Sequence, residues 1–211
     1  MAASDVRPED INQYWIGDAG NAPDLGIDVA AADARWTLWY RGGEAVDEEI
    51  RKRFGATVQA ALAGDLAGWR ATPAGALALI ILLDQFTRNL FRGTPDAYAG
   101  DPHALRVAEK MVAEKQDESL SPVGRIFAYH PFHHAESESG QAQSVALFQR
   151  LHDASPADWK AHIGKHLGAV KKHCATVRKF GRFPHRNAIL GRESTADESA
   201  FLSADPNRYG Q

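Results

Sequence analysis

The sequence predicts an all-α protein, an antiparallel stack of helices around a central buried helix at about residues 73–91. Apolar residues recur at helical spacing through most of the chain, and no segment alternates apolar and polar residues over five positions. Four predicted helices begin with Ser, Thr or Asp followed directly by Pro, a pairing typical of helix starts. The central segment from Thr72 to Gly93 is apolar on every side as far as Leu83, which is typical of a helix inside a core.

The first part of the chain carries its helix signals in order. Residues 8–16 place acidic residues behind a proline and apolar side chains at i, i+3 and i+4, which predicts a short amphipathic helix. The glycine-rich residues 17–28 predict a loop, and the aromatic residues that follow in residues 30–40 fit a helical face at the edge of a core. Asp47 is the predicted N-cap of a helix that continues through Ala63.

The second part of the chain repeats the pattern of a capping residue followed by an apolar stripe. Its predicted helices cover residues 101–116, 121–129, 137–151 and 155–180, with a last short helix around Phe201. We expect a break after Tyr129 because His130 precedes Pro131, and proline pushes the preceding residue out of the α region. Thr195 and Glu198 form a predicted capping box for the last helix.

Composition limits the classes of function. With 211 residues, a net charge of −3 and a pI near 6.3, the chain lacks the excess of Lys and Arg that a general nucleic-acid surface needs. Cys174 is the single cysteine, which excludes an intramolecular disulfide and a cysteine-based zinc site. The apolar run of the central helix is too short to span a bilayer, and the first ten residues lack the features of a secretory signal. We therefore expect a cytoplasmic protein that binds neither nucleic acid nor a membrane.

The length predicts one all-α domain over residues 1–211, with an N-terminal lobe of residues 1–70 packed on a helical body of residues 71–211 as the alternative division. Homo-oligomer formation is left open by the sequence. Substrate, partner and pathway are not specified by it either.

Charged residues appear at the end of the central helix. Asp84, Arg88 and Arg92 stand at i, i+4 and i+8, so they are predicted to form one column on the core-facing side. Because an unpaired buried charge is costly, Asp84 is expected to pair with Arg88. The column is interpreted either as a structural ion pair or as part of a polar pocket.

Three polar clusters are the candidates for a functional site: Asp84 to Asn89 with Arg92, His130 to Glu136, and Gly181 to Asn187 running on to Arg192. A pocket built from them would combine proton-transfer groups with anion-binding groups. The catalytic candidates are His134, Glu136 and His185. The ligand-binding candidates are Asp84, Gln85, Arg88, Asn89, Arg92, His173, Arg182, Arg186 and Asn187.

Nine histidines raise the question of a metal site. His162 and His166 stand at i and i+4 on one predicted helix, next to Lys160 and Lys165, which indicates a solvated flank. No complete metal-binding or phosphate-loop motif is present, so we predict no metal and no cofactor.

Three longer strings carry a family resemblance: LALIILLDQFTRNLFRGTPDAYAGD, PFHHAE and KFGRFPHRNAILGRESTADESAFL. They resemble the hallmark segments of the bacterial family called domain of unknown function 924. The resemblance implies a helical fold similar to tetratricopeptide repeats and no established activity. By position it places family motifs on Asp84 to Asn89, on His134 and Glu136, on His173, and on Pro184 to Asn187. Thr87 and Ala135 depart from the family pattern, which has proline and serine there.

Three functional hypotheses follow. The leading one is a helical module that binds a protein partner or a small anionic ligand. The second is an enzyme with hydrolase-like acid and base chemistry on a small anionic substrate, in which Arg88 and Arg186 hold the anion and His134 or His185 is the base. The third is that the polar clusters only tie helix ends together.

Overall fold

The computed structural model describes residues 5–17 and 29–204, and within them the regular structure is helical, as predicted. The α-helices are α1 (Pro8–Trp15), α2 (Val29–Ala34), α3 (Trp36–Arg41), α4 (Gly43–Ala63), α5 (Pro73–Ile80), α6 (Thr87–Leu90), α7 (Asp101–Ala113), α8 (Pro122–His134), α9 (Glu138–Ala154), α10 (Ala157–Phe180) and α11 (Ala196–Ala204). Short 3₁₀ helices cover Ala67–Ala71, Pro95–Tyr98, Gln116–Ser119 and Pro184–Arg186. The predicted loop at residues 17–28 lies almost wholly outside the described residues.

The central helix is confirmed at Pro73–Leu90, but it is not α-helical throughout. Thr72 caps its start by accepting a hydrogen bond from the backbone N–H of Gly75 at 3.1 Å. Between α5 and α6 the segment Ile81–Phe86 forms a π-helix, whose wider turn contains one extra residue. Asp84 and Gln85 lie in this turn, and both are buried.

The remaining helices surround the central helix. Helices α1, α4, α7 and α8 pack directly against it, and the hairpin of α9 and α10 packs on α8. The core contains side chains from Val6 to Val170, including the large aromatic residues Trp15, Phe86, Phe127 and Trp159. The polar turn of the central helix therefore faces the start of α7 and the end of α8 inside the protein.

Gly100, the residue before α7, lies in very close contact with the π-helical turn. A Cβ atom at this position would lie 2.1 Å from the carbonyl oxygen of Leu83. We expect Gly100→Ala to lower the free energy of unfolding by about 1–3 kcal/mol or more. The reason is that the backbones of Gly100 and Leu83 are both packed and would have to move apart. Urea unfolding followed by circular dichroism measures this change.

Gly168 offers the matched control, since it is exposed within α10 and a Cβ atom there would have no neighbour within 4 Å. Gly168→Ala is expected to raise the free energy of unfolding by about 0.5–1 kcal/mol, because alanine is the better helix former. Equal effects of the two substitutions would contradict the close approach at Gly100.

Two predicted helix boundaries are wrong. Helix α8 continues through Pro131 to His134, although a break after Tyr129 was expected. His130, Pro131 and Phe132 are all buried, so packing of these residues outweighs the local preference against a helix before proline. The second error is at Asp47, which lies inside α4 rather than capping it.

His162 and His166 are buried on α10 and do not lie on a solvated flank. Asp33 of α2 contacts His162 Nδ1 at 2.9 Å, and the Tyr40 hydroxyl of α3 lies 3.4 Å from His166 Nδ1. The local pattern failed here because α2 and α3 cover this side of α10.

Among the described residues, no helix has the length and apolar character needed to cross a membrane. The cytoplasmic location and the division into domains stay predictions.

A buried polar cluster at the tip of the central helix

A buried carboxylate and a histidine lie in direct contact at the centre of the site. Asp84, in the π-helical turn, is 0% exposed, and its Oδ1 lies 2.7 Å from Nδ1 of His134 at the end of α8. Gln85 donates from Nε2 to Oδ2 of the same carboxylate at 2.5 Å and also contacts His130 Nδ1 at 3.3 Å. The Asp84 carboxylate is therefore held from both sides, and it fixes the orientation of the His134 ring.

Arg88 connects this pair to the start of α7. Its guanidinium donates to both carboxylate oxygens of Asp101, at 2.8 and 3.0 Å, and lies 3.4 Å from Oδ1 of Asp84. The predicted pairing of Asp84 with Arg88 is present, but the bidentate contact with Asp101 is the shorter one. The two neighbouring carboxylates raise the pKa of Arg88, so this arginine stays charged although it is buried.

Arg186, in the 3₁₀ helix Pro184–Arg186, reaches the same carboxylate from the opposite side. Its contact with Asp101 Oδ2 is 3.3 Å, and the residue is only 6% exposed. Its Nε is buried without a hydrogen-bond partner among residues 5–17 and 29–204. Its guanidinium lies over the rings of Tyr98 and Phe183, at 4.6 and 4.7 Å from their centroids. Arg186 is thus a buried cation with one long ion-pair contact and two aromatic faces.

We call Asp84, Arg88, Asp101, His134 and Arg186 the central polar cluster. Each of its successive contacts, from His134 through Asp84, Arg88 and Asp101 to Arg186, is 3.4 Å or shorter. The side chains of His134 and Asp101 are 16% and 18% exposed, so the cluster reaches the protein surface at these two residues.

Glu136, His173 and His185 lie beside the cluster. Glu136 accepts hydrogen bonds from the Phe183 backbone N–H at 2.7 Å and from Arg192 at 2.7 and 3.0 Å. The rings of His173 and His185 flank Phe183, with centroids 4.9 and 5.4 Å from its ring. The structure thus brings parts of all three polar clusters of the sequence together.

The other four candidate ligand-binding residues lie elsewhere. Asn89 and Arg92 both donate to the carboxylate of Asp47 on α4, at 2.7–2.9 Å. Arg92 follows the end of α6, so the predicted column of Asp84, Arg88 and Arg92 is wrong. The reason is that the π turn adds a residue and the helix ends at Leu90.

Arg182 and Asn187 both bind Glu198 on α11. Arg182 donates at 2.7 and 2.8 Å to the two carboxylate oxygens, and Asn187 donates at 3.3 Å. Glu198 also completes the predicted capping box, because it accepts from the Thr195 backbone N–H at 2.8 Å and its own N–H donates to the Thr195 hydroxyl at 3.2 Å. In this structure, these two residues anchor the last helix.

A row of buried histidines lies behind the cluster, between α8 and α10. Ring centroids are 5.2 Å apart for His162 and His166, 6.1 Å for His166 and His130, 5.7 Å for His130 and His133, and 4.0 Å for His133 and His173. Within the described residues, neither ring nitrogen of His133 has a hydrogen-bond partner. No group of three or more His, Cys, Asp or Glu side chains there has the arrangement to hold a metal ion.

Burial lowers the pKa values of six histidines in and around the central polar cluster. It lowers the pKa of His130 and His185 to about 4 and that of His173 to about 3. It also lowers the pKa values of three further rings well below their usual range: His133, His134 and His166. The positive charges of Arg88 and Arg186 add to the effect at His134, so its imidazole is neutral at pH 7.

Sequence reasoning missed Asp101 and Tyr98 as members of the site. Asp101 precedes Pro102, and this pair predicts a helix cap. In the structure α7 does begin there, but the carboxylate binds two arginines. The three sequence clusters contain more arginines than carboxylates. This surplus could have indicated that a carboxylate from outside the clusters completes the site.

Fold and site together define an all-α protein with a buried cluster of ion pairs at the tip of its central helix. The sequence matches the family described as bacterial protein of unknown function (DUF924) over residues 11–205, and the chain belongs to this family. It is also similar to the solved structure of a protein of unknown function from Agrobacterium tumefaciens. The identity is 33%, the match covers 94% of this chain and 97% of the other, and the TM-score is 0.77. A comparison with curated proteins gives no match.

Proposed function

We propose that the chain binds a small anionic ligand, a carboxylate, at the central polar cluster. The observation that carries the proposal is Arg186. A guanidinium has five N–H donors, and burying one without enough acceptors is costly. Arg186 directs a single long contact to Asp101, although it is almost completely buried. A ligand carboxylate offers the planar pair of acceptors that a guanidinium binds best.

The charges around Arg186 favour a ligand with one negative charge. Three arginines, Arg88, Arg186 and Arg192, lie with three carboxylates, Asp84, Asp101 and Glu136, so the fixed charges balance. Each additional negative charge on a ligand would face these carboxylates in a poorly hydrated site. A monocarboxylate therefore fits better than a polyanion.

The degree of burial also favours a small molecule over a protein partner. A partner surface would have to reach the guanidinium of an arginine that is only 6% exposed. A group of a few atoms would approach the cluster beside His134 and Asp101, whose side chains are 16% and 18% exposed.

Isothermal titration calorimetry at pH 7.5 with acetate, propionate and lactate as probes tests the proposal. We expect Arg186→Gln to weaken binding of the probe by about 10- to 100-fold, because charge-assisted hydrogen bonds contribute about 1.5–3 kcal/mol. Arg150→Gln is the matched control, since Arg150 is half exposed and pairs with Asp117 away from the cluster. Equal binding by wild type and Arg186→Gln, or no binding of any probe, would overturn the proposal.

A further inference from the structure

The contact between Asp84 and His134 leaves one reactive atom on the histidine. Nδ1 donates its hydrogen to the Asp84 carboxylate, so the neutral ring carries its lone pair on Nε2. Nε2 has no hydrogen-bond partner among the residues that the structure describes. Because the His134 side chain is 16% exposed, a small molecule can approach this ring from outside.

The carboxylate behind the ring places a negative charge against it, which opposes the nearby charges of Arg88 and Arg186 when the ring takes up a proton. Asp84 is fully buried and is held by Gln85 and Arg88, so it cannot turn away from His134. When Nε2 accepts a proton, the imidazolium faces a fixed negative charge at 2.7 Å. This is the arrangement by which a buried aspartate supports a histidine base in hydrolytic enzymes.

Among the described residues, no side-chain nucleophile hydrogen-bonds to the histidine. Ala135 follows it in the sequence, and Asp84 is the only side chain within residues 5–17 and 29–204 that hydrogen-bonds to His134. The group that His134 can activate is therefore a water molecule, as in general-base catalysis.

We propose that Asp84 and His134 form a general-base dyad that hydrolyses a small ester carrying a carboxylate, with the carboxylate held by Arg186. This inference rests on the proposed function, because it uses the same anion site. Nε2 removes a proton from water while the water oxygen bonds to the ester carbonyl carbon. The carbon–oxygen bond to the leaving group then breaks, and the leaving alkoxide takes the proton from Nε2. The products are an acid and an alcohol, and no other reactant is consumed.

Chemical modification tests the reactive atom without a substrate. Diethyl pyrocarbonate acylates neutral imidazole, and peptide mass spectrometry gives the rate for each histidine. We expect His134 to react at least tenfold faster than the adjacent buried His133, and Asp84→Asn to slow the reaction of His134 several-fold. The rate at the partly exposed His152 should not change in that variant. If His134 reacts as slowly as His133, the dyad is not accessible and the proposal fails.

Hydrolysis of two 4-nitrophenyl esters tests the reaction. The hemisuccinate carries a carboxylate and the acetate does not. We expect the wild type to prefer the hemisuccinate by at least tenfold in kcat/KM, and His134→Gln to lose at least 100-fold. Arg186→Gln should remove the preference for the hemisuccinate by raising the KM for this ester. His152→Gln should behave as wild type.

The two proposals fail separately in these experiments. If carboxylates bind in the calorimeter but wild type and His134→Gln hydrolyse the hemisuccinate at the same rate, the dyad is refuted and the binding function stands. If the acetate is hydrolysed as fast as the hemisuccinate and no carboxylate binds, both are refuted.

Discussion

Acidification from pH 7.5 to pH 5 is expected to destabilise the protein strongly at 25 °C. Six histidines have lowered pKa values: the buried His130, His133, His166 and His173, and the partly exposed His134 and His185. Their neutral forms are favoured in the folded state, whereas in the unfolded chain each titrates near pH 6.5. Their contribution to stability is therefore complete above pH 6.5 and is lost as the pH falls toward the folded-state pKa values.

The expected size of this effect is large. A histidine whose pKa falls from 6.5 to about 4 loses roughly 2 kcal/mol of its contribution by pH 5. The three histidines with folded-state pKa values of about 3 to 4, His130, His173 and His185, together lose roughly 6 kcal/mol, a large part of the stability of a typical domain. Urea unfolding at a series of pH values should show the free energy of unfolding falling steeply below pH 6.5.

Removal of one of these rings provides the control. His133→Phe should reduce the number of protons taken up on unfolding by about one, which flattens the pH dependence by about 1.4 kcal/mol per pH unit. His152→Gln, which changes a partly exposed histidine of α9, should leave the slope as in wild type. If the free energy of unfolding stays constant between pH 7 and pH 5, the pKa values of these six histidines are not lowered in the folded protein.

Asp101→Asn is expected to lower the free energy of unfolding by about 3–5 kcal/mol at pH 7.5. The substitution keeps the shape of the side chain but removes the anion that both Arg88 and Arg186 contact. Two buried guanidinium groups then lack their shared partner, and breaking a buried ion pair in this way costs several kcal/mol. Differential scanning calorimetry should show a Tm lower by roughly 6–20 °C.

Asp47→Asn is the comparison for this variant, because it removes the carboxylate of another arginine pair in the same protein. The partner, Arg92, has a side chain that is 41% exposed, so water can replace much of the lost contact. We expect a loss of about 1 kcal/mol. If Asp101→Asn lowered the free energy of unfolding no more than Asp47→Asn does, Arg88 and Arg186 would not depend on the Asp101 carboxylate.

The sequence allowed prediction of those elements that depend on neighbouring residues. Thr72 with Pro73, Ser121 with Pro122, and the pair of Thr195 and Glu198 each begin a helix as predicted, because a cap is a contact over three residues. The convergence of the polar clusters could only be proposed, since it depends on how α7, α8 and the 3₁₀ helix Pro184–Arg186 pack.

The failures have a common physical origin. His162 and His166 have lysine neighbours in the sequence, but Trp36 and Tyr40 of α3 pack against their rings. Pro131 stays helical because its surroundings are packed on all sides. The π turn at Asp84 has no distinct apolar pattern, since every residue of Ile81–Phe86 is buried. In each case a contact between distant segments outweighed the local preference.

The π turn also sets a constraint on the length of the polypeptide. Deleting one residue within Ile81–Phe86 would let the segment relax to an ordinary α-helix, which is the more favourable form locally. Five residues of α-helix turn through nearly the same angle as the six residues of this π turn, so the deletion would leave Arg88 on its present side of the helix, within reach of Asp101. An inserted residue in this hexapeptide would have no further wide turn to absorb it and would rotate Arg88 by about 100° away from Asp101, so we expect the segment to tolerate a one-residue deletion better than a one-residue insertion.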